Sequence, residues 1–136
     1  MNKITTYLNF NGNCKEAMHY YQRCFGGDLR LQTIGESPYG EAFPKEIRGH
    51  ILEATLAMNA SILKGSDLVD DYLTPGNTIT ILLECENERE LNEYYKRLSA
   101  DGVSEQPITT NHYGGSFVMV NDRFGFNWQL RSKQSL

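Results

Sequence analysis

An internal repeat constrains the fold of this chain more than any other feature of its sequence. Residues 13–23 recur as residues 87–97, at an offset of 74 positions, and five of the eleven positions are identical. The identical residues are an asparagine, a glutamate, two tyrosines and an arginine. Because these matches coincide with matching helix signals, we infer that the chain contains two copies of one structural module.

Both copies of the repeat carry the signals of an α-helix. Asn13 and Asn87 are good N-cap residues, and each is followed three positions later by a glutamate that can complete a capping box. Apolar residues then recur at helical intervals, and turn residues follow at 26–27 and 101–102. The repeat therefore predicts one helix that begins near Asn13 and another that begins near Asn87.

Strand patterns surround each predicted helix. Residues 4–10 precede the first helix and residues 78–84 precede the second, and both segments are rich in β-branched and aromatic residues. Three further strands are predicted after each helix, at 28–34, 48–58 and 61–66 in the first copy and at 103–110, 115–121 and 126–132 in the second. The sequence therefore predicts an α+β fold of two βαβββ modules. We place module one at 1–67, a linker at 68–76 and module two at 77–136, within a single domain.

Composition excludes two classes of partner. The chain carries 13 Lys and Arg residues and 17 Asp and Glu residues, a net charge of −4, without a basic cluster that could bind nucleic acid. Its apolar windows, such as 79–83, are far too short to span a membrane. The 3 cysteines are odd in number and lack CxxC spacing. We therefore expect reduced thiols in a cytoplasmic protein that binds neither nucleic acid nor membrane.

Several segments of the chain resemble one protein family. The opening segment resembles the opening of PhnB-like proteins, a branch of the vicinal oxygen chelate (glyoxalase/bleomycin-resistance/dioxygenase) superfamily. Later pieces resemble the same branch, and together they cover nearly the whole chain. The segments are Tyr7-Leu8-Asn9-Phe10-Asn11-Gly12, Glu16-Ala17, Tyr20-Tyr21, Phe25-Gly26-Gly27, His50, Ser66-Asp67 and Asp122-Arg123-Phe124-Gly125-Phe126-Asn127-Trp128.

The resemblance implies an architecture and a range of activities. The two modules would form a curled mixed sheet, an incomplete barrel around a cavity, in a protein that is often a homodimer. Members of the superfamily include glyoxalases, extradiol dioxygenases and proteins that confer resistance to fosfomycin or bleomycin. These activities differ so widely that the fold alone does not choose among them.

The resemblance also implies positions for a divalent metal, which catalytic members bind through His and Glu on facing strands. Carried over one by one, these positions fall near Thr6, near Thr80, at Gln129 and near residues 62–64. None of them is His, Asp, Glu or Cys, and neutral Thr and Gln oxygens are weak metal ligands. We therefore expect no metal at this location and no cofactor.

Alternation along the predicted strands selects the face that lines the cavity. We place the cavity on the face of Thr6, Leu8 and Phe10, because Thr6 stands at a metal position. By the same reasoning Gln129 is favoured over its neighbour Trp128, whose ring would either floor a pocket or belong to the core.

Two further residues are candidates for the site. His50 enters a long predicted strand, where it is either a base in the pocket or a hydrogen-bonded structural histidine. Strict alternation would place Glu53 on the opposite face from His50. Tyr113 lies in a turn-rich segment and would either cover the mouth of the pocket or pack on the edge of the domain.

We therefore hypothesise a small-molecule-binding protein without the usual metal site, holding a partly apolar ligand by shape and neutral polar groups. Two alternatives stay open. One is an enzyme, either a metal-dependent lyase, isomerase or dioxygenase, or a metal-free enzyme that uses His50 as acid or base. The other is a structural dimer module whose pocket is filled by its own side chains.

Overall fold

The computed structural model of the protein describes residues 2–68, 72–100, 108–110 and 115–133. The chain divides into two compact units, Met1–Thr74 and Pro75–Leu136. Each unit contains one helix and one four-stranded sheet. No helix in the described ranges is both long and apolar enough to cross a membrane.

The first unit is one βαβββ module. Its sheet has the order β1-β4-β3-β2, with β1 parallel to β4 and the other neighbours antiparallel. Two short 3-10 turns, Gly40–Ala42 and Lys45–Ile47, lie in the connection between β2 and β3. The elements are β1 (Thr6–Asn9), α1 (Cys14–Phe25), β2 (Asp28–Thr33), β3 (Ile51–Ala57) and β4 (Ile62–Ser66).

The second unit repeats this order and topology. Its sheet has the order β5-β8-β7-β6, again with the first and last strands of the module parallel. The elements are β5 (Ile81–Cys85), α2 (Glu88–Ser99), β6 (Thr109–Thr110), β7 (Ser116–Asn121) and β8 (Asn127–Ser132). The prediction of two βαβββ modules is confirmed.

The predicted boundaries differ from the observed ones chiefly before β3. The sequence predicts a strand from residue 48. In the structure Lys45–Ile47 form a 3-10 turn, and the amide of His50 then donates a hydrogen bond to the carbonyl of Ile47. The strand therefore begins at Ile51. Predicted strand residues 103–107 and the predicted turn at 101–102 lie outside the described residues.

The core of the first unit lies between α1 and one face of its sheet. Register partners Leu8, Gly65 and Ala54 share that face, and all three are buried. A Cβ added at Gly65 would lie 3.0 Å from the ring of Phe10 and 3.3 Å from the sulfur of Cys14. A glycine at 65 therefore allows the start of α1 to approach the sheet closely.

The two helices begin where the repeat predicts, but their first turns are capped differently. Oδ1 of Asn87 accepts a hydrogen bond from the amide of Glu90 at 2.9 Å, and Oε1 of Glu90 accepts one from the amide of Glu86 at 3.2 Å. The side chain of Asn13 makes no such bond. At α2 the Asn87 cap therefore forms as expected, while Glu90 returns its bond to the residue before the cap instead of to the cap itself; at α1 the Asn13 cap is absent.

A carboxylate from β4 replaces the missing cap at α1. Oδ1 of Asp67 accepts hydrogen bonds from the amides of Gly12, at 2.8 Å, and Cys14, at 3.0 Å. Oδ2 accepts a third from the amide of Ile51, at 2.8 Å. The bonds to Cys14 and Ile51 are buried, so without Asp67 these two amides would lack an acceptor. One side chain thus joins the end of β4 to the starts of α1 and β3.

Asp122 has a related role in the hairpin between β7 and β8. Its Oδ1 accepts from the amides of Phe124, at 2.9 Å, and Phe126, at 3.0 Å. Its Oδ2 accepts from Nε1 of Trp128 at 2.9 Å. Gly125 has the predicted positive φ, 94°, which a side chain would disfavour.

Replacing Asp67 by asparagine should destabilise the protein by about 2 kcal/mol, because the amide group leaves at least one buried backbone donor without an acceptor. Urea unfolding followed by circular dichroism would measure this loss. Asp28→Asn, a matched change at the exposed start of β2, should cost little. Equal stabilities for the two variants would contradict the role assigned to Asp67.

Candidate functional site

The face of the first sheet that points away from α1 carries an open pocket of about 330 Å³. Register pairs Tyr7 with Lys64 and Gln32 with Glu53, and these four residues lie on that face. Apolar and polar groups both contribute to the walls. The residues that line the pocket are Tyr7, Gln32, Leu52, Glu53, Ser66 and Leu68.

An irregularity in the sheet brings two adjacent residues of β3 into this pocket. Gln32 pairs with Glu53, but the next residue, Thr33, pairs with Ile51, so Leu52 has no opposite residue on β2. Such a bulge interrupts strict alternation. It lets Leu52 and Glu53 both line the pocket while Ile51 is buried. The predicted alternation of 50–56 is therefore wrong at its N-terminal end.

Ser66 fixes the position of the apolar wall. Its hydroxyl donates to the carbonyl of Leu52 at 2.7 Å and accepts from the amide of Leu68 at 2.9 Å. These two leucines flank the pocket. The hydroxyl of Ser66 is therefore engaged in holding the backbone on both sides of the pocket.

Glu53 is the charged group of the pocket wall, and it has two partners. The hydroxyl of Tyr7 donates to its Oε1 at 3.3 Å, and Nζ of Lys64 lies 3.4 Å from its Oε2. Partial burial raises the pKa of Tyr7, and the negative charge of Glu53 raises it further, against a lowering by Ser66. The Tyr7 hydroxyl is therefore protonated at neutral pH and acts as a donor.

The sequence placed the cavity on the opposite face of β1. Leu8, at 4% exposure, and Phe10 belong to the core, and Thr6 alternates onto their side of the strand. The pocket of this unit lies instead on the side of Tyr7. Leu8 is buried in the core and is therefore not available to a ligand, and Thr6 stays a prediction for a ligand site.

His50 stands just before β3 and does not line the pocket. Its carbonyl accepts from the amide of Ile34 at 2.9 Å. Its ring lies against Gly12, where an added Cβ would come within 3.4 Å of Cε1. The structure therefore places His50 beside the loop that precedes α1.

Among the remaining predicted site residues, Trp128 and Gln129 lie on opposite faces of β8 in the second unit. Trp128 is 3% exposed and belongs to the core. Gln129 lies on the opposite face, opposite Leu82 in the register. Thr80 precedes β5 and is exposed, and Tyr113 lies outside the described residues. These residues remain predictions for a ligand site.

The repeat offset of 74 holds for the helices but not for the first strands. That offset equates Leu8 with Leu82, yet Leu8 is 4% exposed and Leu82 is 43% exposed. In β5 the buried residue is Cys85, so the faces of the two strands differ by one position. Thr6 and Thr80 are therefore not equivalent.

Sequence reasoning missed all six residues that line this pocket, Tyr7, Gln32, Leu52, Glu53, Ser66 and Leu68. One available signal was the alternation in β2, where leucines at 29 and 31 separate polar residues at 28, 30 and 32. That pattern marks the side of Gln32 as the face away from the core. The bulge at Leu52 has no comparable signal.

The donor groups do not fit a divalent cation. Across the described ranges, no three His, Cys, Asp or Glu side chains form a group that could hold a metal ion. Glu53 already faces the ammonium of Lys64, which would repel a cation. Burial raises the pKa of Cys14 and of Cys85 to about 12, with further contributions from Asp67 and Glu90 respectively. Both thiols are therefore protonated at neutral pH.

Comparison with known proteins identifies the family. The family model described as 3-demethylubiquinone-9 3-methyltransferase matches residues 2–131. The chain belongs to this PhnB-like family. The family name alone does not say which reaction, if any, this chain performs.

Three relatives align with nearly the whole chain. PA1353 from Pseudomonas aeruginosa is 29% identical, with a TM-score of 0.86 over 99% of this chain and 100% of its own. A putative 3-demethylubiquinone-9 3-methyltransferase, PhnB protein, from Bacillus cereus is 30% identical, with a TM-score of 0.76 over 96% and 99%. Protein YjdN from Escherichia coli is 27% identical over 139 residues, 93% of this chain and 92% of its own.

More distant structures show the fold of the superfamily. The fosfomycin resistance protein FosX from Listeria monocytogenes is 14% identical, with a TM-score of 0.67 over 98% of this chain and 94% of its own. The PhnB-like chain therefore has the vicinal oxygen chelate fold.

Replacing Glu53 by glutamine should lower the pKa of Tyr7 toward its ordinary value, because a neutral side chain no longer opposes ionisation of the phenol. A pH titration of tyrosine ¹³Cζ signals by NMR would measure this shift, with Tyr7→Phe identifying the resonance. Glu36→Gln, which removes a carboxylate bonded to Thr33, should leave the titration unchanged. An unchanged pKa in Glu53→Gln would contradict the proposed coupling.

Proposed function

We propose that this PhnB-like protein binds a small, partly apolar molecule in the pocket of its first unit. The pocket combines the ring of Tyr7 and two leucines with the polar groups of Gln32 and Glu53. That mixture of apolar wall and a few placed polar groups is typical of small-molecule sites. It is the observation that carries the proposal.

The pocket chemistry favours a neutral ligand with a hydrogen-bond donor, because the ammonium of Lys64 already balances the charge of Glu53. Glu53 is the charged residue of the lining, and its carboxylate oxygens are acceptors. Gln32 is exposed and offers both a donor and an acceptor. The leucines at 52 and 68 would pack against the apolar part of such a ligand.

We further propose that binding does not use the metal site of catalytic superfamily members and needs no other cofactor. The support is the chemistry of the donors. Thr6, Thr80 and Gln129 are neutral, and Lys64 is cationic and paired with Glu53. Hard divalent cations prefer carboxylate-rich sets.

Methyl transfer is the activity printed in the family's description and in the name of the Bacillus cereus relative. A bound nucleotide-like cofactor is commonly cradled by a glycine-rich turn between a strand and a helix. In the described chain the glycine pair at 26–27 instead follows α1. We therefore rank methyl transfer below binding and include S-adenosylmethionine among the test ligands.

We also propose a homodimer in the cytoplasm. One support for the dimer is that members of the superfamily are often homodimers. A second is that β1 and β5 each lie at an edge of their sheets and could pair with a further strand. Support for the location is the set of three free, buried cysteines, which suits a reducing compartment.

A thermal-shift screen of small amides, amines, aromatic alcohols and S-adenosylmethionine should find compounds that raise the melting temperature, because a ligand bound only by the native state stabilises it. Leu68→Ser should weaken the best compound roughly five-fold or more, through lost apolar contact. Leu73→Ser is the matched control, since Leu73 is exposed to a similar extent, 41% against 43%, and does not line the pocket.

Two outcomes of that screen would contradict the proposal. Equal weakening by both leucine variants would move the binding site away from this pocket. A complete lack of stabilising compounds would favour a structural module.

Elemental analysis after incubation with Ni, Zn, Mn or Fe(II) and desalting should find far less than one metal per chain, because the donor set lacks the required carboxylates. Stoichiometric metal would overturn the metal-free proposal and favour the enzyme alternative. In that case Glu53→Gln would show whether the metal lies in the pocket of the first unit.

A further inference from the structure

The second unit holds a guanidinium group that lacks the partners such a group ordinarily has. Nε of Arg131 is buried and has no hydrogen-bond partner. Its Nη2 donates one long hydrogen bond, 3.4 Å, to Oε1 of Gln129. No carboxylate in the part of the chain that the structure describes lies within ion-pair distance of Arg131.

This arrangement is costly for the folded protein by itself. Arginine stays protonated under all ordinary conditions. A buried Nε–H donor without an acceptor is unfavourable compared with the same donor hydrogen-bonded to water. A buried donor without an acceptor therefore points to a missing ion, water or ligand.

The surroundings of Arg131 are mixed in character. On β8 the side chain lies on the face away from the buried residues Trp128 and Leu130. Its register partners are Glu84 on β5 and Phe117 on β7. In the next row Gln129 lies between Leu82 and Met119. A cation and an amide thus stand beside three apolar side chains.

Glu84 is the neighbour that could have neutralised the guanidinium. It lies directly opposite Arg131 in the parallel register, yet it is exposed and forms no ion pair with it within 4.0 Å. The carboxylate therefore leaves the guanidinium available, while its charge weakens the attraction of any anion that approaches.

We propose that this face of the second sheet binds the oxyanion of a small ligand, a carboxylate or a phosphoryl group, with Arg131 as its anchor. The planar fork of the guanidinium matches two oxygens of such a group. Gln129 holds the fork through Nη2, and Phe117, Met119 and Leu82 receive an apolar substituent of the ligand. The inference rests on the second unit and does not depend on the pocket of the first.

The direct test is an NMR titration that follows the Nε–Hε resonance of Arg131, identified by its loss in Arg131→Lys. Benzoate and methylphosphonate are added separately at constant ionic strength, balanced with sodium chloride. Binding should move the resonance to saturation with at least one of the two probes and not with chloride. The responding probe identifies the oxyanion that the site prefers. The titration itself uses the unaltered protein, in which through-bond NMR experiments can assign the Arg131 resonance if Arg131→Lys fails to fold.

Variants then test whether Arg131 is the group that binds the oxyanion. Arg131→Lys should weaken binding roughly ten-fold, because a point charge loses the two-oxygen geometry. Glu84→Gln should tighten binding about two-fold, since a nearby like charge is removed. Lys133→Gln is the control, because it removes a cation two residues away whose side chain is exposed and paired with Glu86 at 3.1 Å. That variant should bind as the unaltered protein does.

Three results would overturn the proposal. One is a titration in which neither probe moves the resonance to saturation. Another is an equal loss in Lys133→Gln, which would make the effect a general response to charge. The third is a Glu84→Gln variant that unfolds more easily and binds no tighter, which would make Glu84 the structural counterion of Arg131.

Discussion

The carboxylate of Asp67 is the interaction on which the geometry of the first unit depends. It accepts hydrogen bonds from the amides of Gly12, of Cys14 at the start of α1 and of Ile51 at the start of β3, so it sets where α1 begins and where β3 enters the sheet. The bond to Ile51 has the widest consequence, because it holds the residue just before the bulge. Pocket residues Leu52 and Leu68 each follow directly after a residue in this hydrogen-bonded junction. The site is thus positioned by a group that does not itself line the pocket.

Much of the fold was predictable because its signals are local. The capping residues, the helical spacing and the turn glycines lie within a few positions of the elements they determine. Asn13 shows where that reasoning ends, since it stands at the start of α1 without capping it. The cap comes from Asp67, 53 residues from Cys14 along the chain. No pattern near Asn13 indicates that contact, although Ser66-Asp67 was one of the segments that resembled the family.

The site was less predictable because it depends on single-residue register. An offset of 74 correctly equates the two helices. The first strands of the two modules differ from this offset by one position. Because side chains alternate between the two faces of a strand, a shift of one residue exchanges the buried face and the open face. The family alignment placed Thr6 on the cavity face, whereas the pocket of the first unit lies on the side of Tyr7. The bulge at Leu52 adds a second reversal within β3. Strand register and bulges are set by pairing with neighbouring strands. Sequence periodicity therefore predicted where the strands lie but not which face of each strand is buried.

The duplicated modules share a topology while their open faces differ in charge. In the first unit Glu53 is balanced by Lys64 and by the hydroxyl of Tyr7. In the second unit Arg131 faces Glu84 across the register without pairing to it. Residues on the helix side of each sheet are constrained by packing, whereas those on the open side are freer to differ. A repeat can therefore keep one fold while the charged groups on its open faces, and the way they pair, change.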